Sequence, residues 1–276
     1  MSIPIIDNFS AWINVDGHRV DAYQIVSSGT EPQTITCWIP SQAGKEFSVH
    51  WADDERRYTS TGRILIDGQR AGGRTIDGKN EKPRAKKEQS RGYITMSTTT
   101  KRPYVFSQLM LADSDAPNLD SHPEKIGSIV LNIYRSKYRP HREPRQFHTA
   151  WSADLPVDER AKKASVHRAA CGEPTSFKRP RKTMGRHLDL HARVATFMFK
   201  YTSLEVLRAQ GIAPPSVHPR QTSNSTSTVK PEPGLPPLDS SDVLDLTQDF
   251  DVKKEFEGPI VVPTGWHRSV IDLTLD

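Results

Sequence analysis

Over roughly the first 150 residues, apolar and polar residues alternate in short runs, each closed by a turn signal. The runs AWINV and VDAYQIV flank the pair Asp16-Gly17, while TITCWIP and EFSVHW flank SQAGK. GRILI runs into the turn DGQ at 67–69, and GYITMS, YVFSQLMLA and GSIVLNIYR follow, the last with Ile129, Leu131 and Ile133 on one face. A side-chain period of two between turn residues is the pattern of half-buried strands. No helix of crossover length separates these runs, so they predict an antiparallel sandwich or barrel; the fold class expected is mainly β, an antiparallel β-sandwich with one or two short helices. Residues 70–91, polar and glycine-containing, read as a mobile hairpin loop between strands.

The period changes further on. Residues 156–170, PVDERAKKASVHRAA, open with proline and acids and fill with lysine, arginine and alanine, as a helix should. RVATFMFKYTS at 193–203 alternates as a closing strand, and SLEVLRAQG reads as a short helix stopped by Gly211. Beyond IAPPSVHP regular periods end, and QTSNSTSTVKPEPG at 221–234 has too little apolar surface to offset the entropy of ordering. The expected organisation is a β-sandwich-like domain over residues 1–212 and a disordered acidic tail over 213–276.

Charge supports that division. Of 276 residues 35% are hydrophobic and 26% charged, with 21 prolines, which is too polar for a chain folded from end to end. The net charge of +5 is uneven: residues 211–276 hold five basic and ten acidic residues, a net of −5, so the first 210 carry +10. A basic head joined to an acidic tail suggests either an anionic partner for the head or tail-to-head self-association. No stretch approaches the ~20 apolar residues that span a bilayer, and the opening MSIPIIDNFSAW lacks signal-peptide character, so an intracellular protein with no membrane partner is expected. Cys37 and Cys171 read as two unpaired thiols.

Candidate chemistry is sparse. His187 and His191 lie four apart, one helical turn, which could grip a metal from one face, but no glutamate follows His187 and the basic neighbourhood disfavours a cation. The acids of DSD at 113–115 and those around Asp239 sit in turn or tail composition and read as solvated. No GxSxG, phosphate loop or CxxC pair is present, so the expectation is no enzyme, no cofactor and no metal. Lys178, Arg179, Arg181 and Lys182 around Pro180 form a compact extended cation cluster of the kind read by a nuclear import receptor, with Lys162 and Lys163 upstream. The same cluster suits phosphate contact, and Tyr138, Phe147 and Trp151 are nearby candidates for stacking on bases.

The ordered series AWINVDGHRVDAYQI, TCWIPSQAGKEFSVHW, ILIDGQRAGG, FSQLMLADSD, IGSIVLNIYR, DERAKKASVHR and FMFKYTSLEVLRAQGIAP resembles an uncharacterised domain of unknown function found mainly in mushroom-forming fungi. The likeness covers roughly residues 5–214. It implies a single β-rich domain and brings no catalytic or binding residue with it.

The tail writes one extended word twice, DVLDLTQD at 242–249 and SVIDLTLD at 269–276. Val243, Leu244, Asp245 and Leu246 match Val270, Ile271, Asp272 and Leu273. Such an aliphatic island cannot build a core, but it can add as a strand to a partner's sheet edge, its flanking aspartates meeting a basic rim. The pattern resembles the interaction motif for the small ubiquitin-like modifier SUMO. VKPE at 229–232 and VKKE at 252–255 fit the matching acceptor rule, with Lys230 and Lys253 as the modified lysines that the resemblance implies. Chance supplies roughly 0.06 such matches in a tail of this length, and two are present. The reading is a non-enzymatic, nuclear interaction protein that binds SUMO or SUMO-modified proteins and is itself a SUMO acceptor; the alternative is a nucleic-acid-binding or chromatin-associated protein acting through its basic head.

Overall fold

The computed structural model describes residues 2–29, 32–112, 125–144, 147, 157–158, 166–178 and 184–215. The chain divides into two units, Met1–Pro219 and Arg220–Asp276, and the fold that follows is that of the first. Its strands are β1 (Ile5–Ile6), β2 (Phe9–Val15), β3 (His18–Arg19), β4 (Tyr23–Ser28), β5 (Thr34–Ser41), β6 (Glu46–Asp53), β7 (Ser60–Ile66), β8 (Gln69–Ile76) and β9 (Glu88–Arg91). There follow β10 (Tyr93–Thr95), β11 (Thr100–Gln108), β12 (Leu111–Ala112), β13 (Ser128–Pro144), β14 (Val157–Asp158), β15 (His167–Cys171), β16 (Thr175–Ser176), β17 (Met184–Ser203) and the helix α1 (Leu204–Ala209).

The protein is mainly β, as the alternation predicts. One sheet has six strands in the order β4-β5-β17-β13-β7-β8. A second has nine, with β1-β2-β6-β11-β10 as its path and β3, β9, β15 and β16 paired at its sides, and β12 and β14 form a separate two-stranded parallel sheet. The strict in-out pattern of β5 and β6 puts Ile35, Cys37, Ile39, Phe47, Val49 and Trp51 inside. Ile129, Leu131 and Ile133 of β13 and Phe197, Phe199 and Tyr201 of β17, in the same six-stranded sheet as β5, join them in one apolar cluster against β6. Phe106 of β11 meets Tyr201 of β17 with ring centroids 4.9 Å apart, and burial of such aromatics is the largest apolar contribution to a core.

Two turns are set by residues that accept left-handed backbone. Asp16 and Gly17 have φ of 46° and 81°, and Asp67 and Gly68 have 49° and 78°, the Asp-Gly chemistry of a tight hairpin. After β3 the first hairpin ends and β4 crosses to the six-stranded sheet, so in the run VDAYQIV residues 20–22 form the connection and only 23–26 lie in a strand, β4. α1 forms as expected: Ser203 caps it, its Oγ accepting from the Val206 N–H, and Gly211 at φ 68° follows its end.

Four readings change. The sandwich is not wholly antiparallel, because β5 runs parallel to β17 over eight residue pairs. Of the helix expected over 156–170, Val157–Asp158 is strand β14 and residues 167–170 lie in strand β15, whose Ala169 and Ala170 pair with Phe106 and Val105 of β11; an open sheet edge overrides local helix preference there. The expected loop over 70–91 is β8, β9 and a turn between them. In that turn Arg56, buried, donates to the carbonyls of Lys82, Pro83 and Ala85 at 3.3, 2.7 and 2.6 Å. Finally, His187 and His191 lie on strand β17, where four residues span about 13 Å rather than one helical turn, so the spacing that suggested a shared metal is lost.

Candidate functional site

The β17 alternation that buries Ala195, Phe197, Phe199 and Tyr201 turns Thr196, Met198 and Lys200 to the outer face of the six-stranded sheet. The register then lays these residues in bands with their neighbours. Trp38 of β5 pairs with Lys200, and Lys200 with Ser128 of β13. One step along, Met198 pairs with Val130 and Val130 with Leu65 of β7, giving an apolar row across three strands. Beyond it Thr196, Asn132 and Arg63 make a polar row, and Arg193 pairs with Tyr134 at the far end. From Ser128 to Tyr134 is six residues, about 20 Å of strand.

This face is concave. A hollow of about 620 Å³ is lined by Trp38, Lys200, Met198 and Arg193, and a second of about 520 Å³ by Arg63, Arg70 and Tyr134; Leu65 and Asn132 line both, so they form one furrow. Each end carries a ring under a cation. The Lys200 ammonium lies 5.5 Å from the Trp38 ring centroid, and the Arg63 guanidinium 5.9 Å from that of Tyr134. Among the described lining residues of both hollows no aspartate or glutamate occurs. Burial first, and then the like charge of Arg70, hold Arg63 below its ordinary range. Asn132 Oδ1 accepts from Thr196 Oγ1 at 2.9 Å and from Arg193 at 3.4 Å, and the buried Thr202 Oγ1, also in the lining, has no hydrogen-bond partner.

One wall of the furrow is anchored by Asp67. Its carboxylate accepts from the Gly127, Ser128 and Ala169 N–H groups at 2.9, 3.2 and 2.8 Å and from the Tyr201 hydroxyl at 2.7 Å. Ala169 belongs to the nine-stranded sheet and Tyr201 to the six-stranded one, so one side chain ties the two layers. Burial pushes its carboxyl up to about 6, against the opposing pull of these donors.

A second cationic-aromatic group lies on the other sheet. Tyr93 of β10 and Phe177 meet edge to face at 5.9 Å, with the Lys101 ammonium 5.0 and 5.7 Å from their centroids. Arg74 donates to the Tyr93 hydroxyl at 2.9 Å. Exposed Lys178, the first residue of the expected cation cluster, follows Phe177 directly; Arg179, Arg181 and Lys182 lie outside the described residues, as do Lys162 and Lys163. Of the rings expected to stack, Tyr138 donates to Asp77 Oδ1 at 2.6 Å, Phe147 is half-buried and Trp151 is outside the described residues. The tail words at 243–246 and 270–273, and Lys230 and Lys253, are also outside them. The furrow was missed by sequence reasoning, although its signal is present: Trp38 and Arg63 occupy outward positions of strands whose inward positions are aliphatic.

A two-sheet β-sandwich with a cationic furrow on one outer face is the class that the geometry defines. The chain belongs to the domain-of-unknown-function family DUF7918, whose model matches residues 8–216. No curated protein and no solved structure matches it.

Proposed function

We propose that this is a non-enzymatic interaction protein of the nucleus whose tail binds SUMO by strand addition and is itself a SUMO acceptor at Lys230 and Lys253. The observation that carries this reading is the coincidence, in one acidic tail, of two V-[LI]-D-L words with two hydrophobic-Lys-x-Glu tetrapeptides. An extended aliphatic segment gains backbone hydrogen bonds and side-chain burial together when it completes a partner's sheet edge, and β-branched Val243, Val270 and Ile271 lose little entropy on extending. Two words on one tail raise avidity when the modifier is presented in chains. Titrating SUMO into the isotopically labelled full chain should move the resonances of 243–246 or 270–273; unchanged shifts at both words refute the binding. Lys230→Arg with Lys253→Arg should abolish conjugation in a reconstituted reaction.

A second reading, nucleic-acid or chromatin association through the head, is favoured by the Lys101, Tyr93 and Phe177 group that leads into Lys178. Under it, Lys178, Arg179, Arg181 and Lys182 contact phosphate rather than an import receptor. Its test is salt-dependent retardation of oligonucleotides that disappears when these four become alanine.

A further inference from the structure

We propose that the furrow on the outer face of the six-stranded sheet is a binding platform for single-stranded nucleic acid, with Trp38 and Tyr134 as stacking rings and Arg63, Arg70, Arg193 and Lys200 as phosphate contacts. The inference shares only its ligand class with the second reading above and assigns different residues, on a different sheet.

Charge complementarity is the first ground. Four cations project from the strands of one sheet, no carboxylate occurs in the described lining, and Arg63 and Arg70 line the same hollow. Like charges brought together without counter-charge cost stability, and a polyanion relieves that cost while releasing its own counterions.

Aromatic placement is the second ground, and it separates a nucleic acid from an acidic peptide. Cations alone would serve a peptide. Here each end of the furrow pairs a half-buried ring with a cation, Trp38 with Lys200 and Tyr134 with Arg63. A ring stacks on any base, while a cation beside it meets the adjoining phosphate, the combination used for sequence-tolerant single strands. Between them the row of Met198, Val130 and Leu65 offers an apolar floor to base faces. Asn132, Thr196 and the unpartnered Thr202 hydroxyl supply hydrogen-bonding groups beside that floor. A duplex buries its base faces in its own stack and leaves the two rings without partners, so the platform discriminates against it.

The test is fluorescence polarisation with the full chain and a labelled 15-nucleotide oligo(dT). Binding should weaken with salt, log K against log salt falling with a slope of roughly −2 to −3 for four phosphate contacts. Trp38→Leu should weaken it roughly 5- to 150-fold, the range for loss of one stacked base. Arg63→Gln with Arg193→Gln and Lys200→Gln should flatten the salt slope, while Lys178→Ala with Arg179→Ala, Arg181→Ala and Lys182→Ala leaves affinity within about twofold. Thermal melting confirms that each variant is folded, and outward-facing positions 63 and 38 give two independent routes to the answer. Four results overturn the proposal: no binding to oligo(dT), wild-type affinity in both furrow variants, tighter binding to the corresponding duplex, or displacement by poly-glutamate with Trp38→Leu neutral. Loss of binding only in the variant at 178–182 refutes the furrow and upholds the second reading.

Discussion

Replacing Asp67 by asparagine changes charge while keeping side-chain shape, at a position whose φ of 49° asparagine tolerates as readily as aspartate. The carboxyl is pushed up to about 6 by burial, against an ordinary value of 3.8, although four donors hold it. Between those two values the folded protein retains a proton that the unfolded chain has released. Its contribution to stability is therefore fully present below about pH 4, falls as pH rises through 6, and is flat above. About two pH units at 1.36 kcal/mol each gives ~3 kcal/mol across that window. Asparagine does not titrate, so the difference in unfolding free energy between wild type and Asp67→Asn should shrink by ~3 kcal/mol from pH 4 to pH 7, other groups cancelling. Asparagine also turns one N–H toward the Ala169 N–H, a buried mismatch of ~1–3 kcal/mol that is present at every pH. Urea denaturation followed by fluorescence of buried Trp51 reads both quantities. Stability curves of wild type and variant that run parallel from pH 4 to 7 would refute the assignment of a buried, proton-retaining carboxyl at this junction.

Gly62→Ala should destabilise by ~1–3 kcal/mol in the same assay, since an added Cβ would stand 2.7 Å from a ring carbon of Trp51, whose indole is locked in the core. Cys37, buried with its thiol pushed up to about 12 by burial, should be silent toward a chromogenic disulfide reagent at pH 8. Only half-exposed Cys171 should then react in the native protein, and both thiols in urea. Arg56→Ala should remove the three carbonyl contacts that hold the turn between β8 and β9, costing ~3 kcal/mol and opening the bonds after Arg84 and Lys86 to trypsin under native conditions. An unchanged cleavage rate there would show that the turn is held by other means.

By itself the sequence determined what depends on nearest neighbours. Alternation of apolar residues named the inward positions of β5, β6, β13 and β17, because the strand period of two is a local property of the chain. Asp-Gly at 16–17 and 67–68, and Ser203 with Gly211 around α1, were legible for the same reason: each acts within a turn of its own backbone. Family membership over residues 8–216 agrees with the ordered segments from which the resemblance was drawn. Only tertiary structure decided what depends on distant partners. β15 became a strand because β11 offered an open edge, and the segment from 70 to 91 was ordered by Arg56 and by the strands beside it. The furrow is the extreme case: Trp38, Arg63, Tyr134 and Lys200 are far apart in sequence, and only the register of β5, β17, β13 and β7 brings them onto one face. Strand register is fixed by which faces are buried and by the turns that join the strands, a condition met by the whole sheet at once and visible in no single stretch of residues.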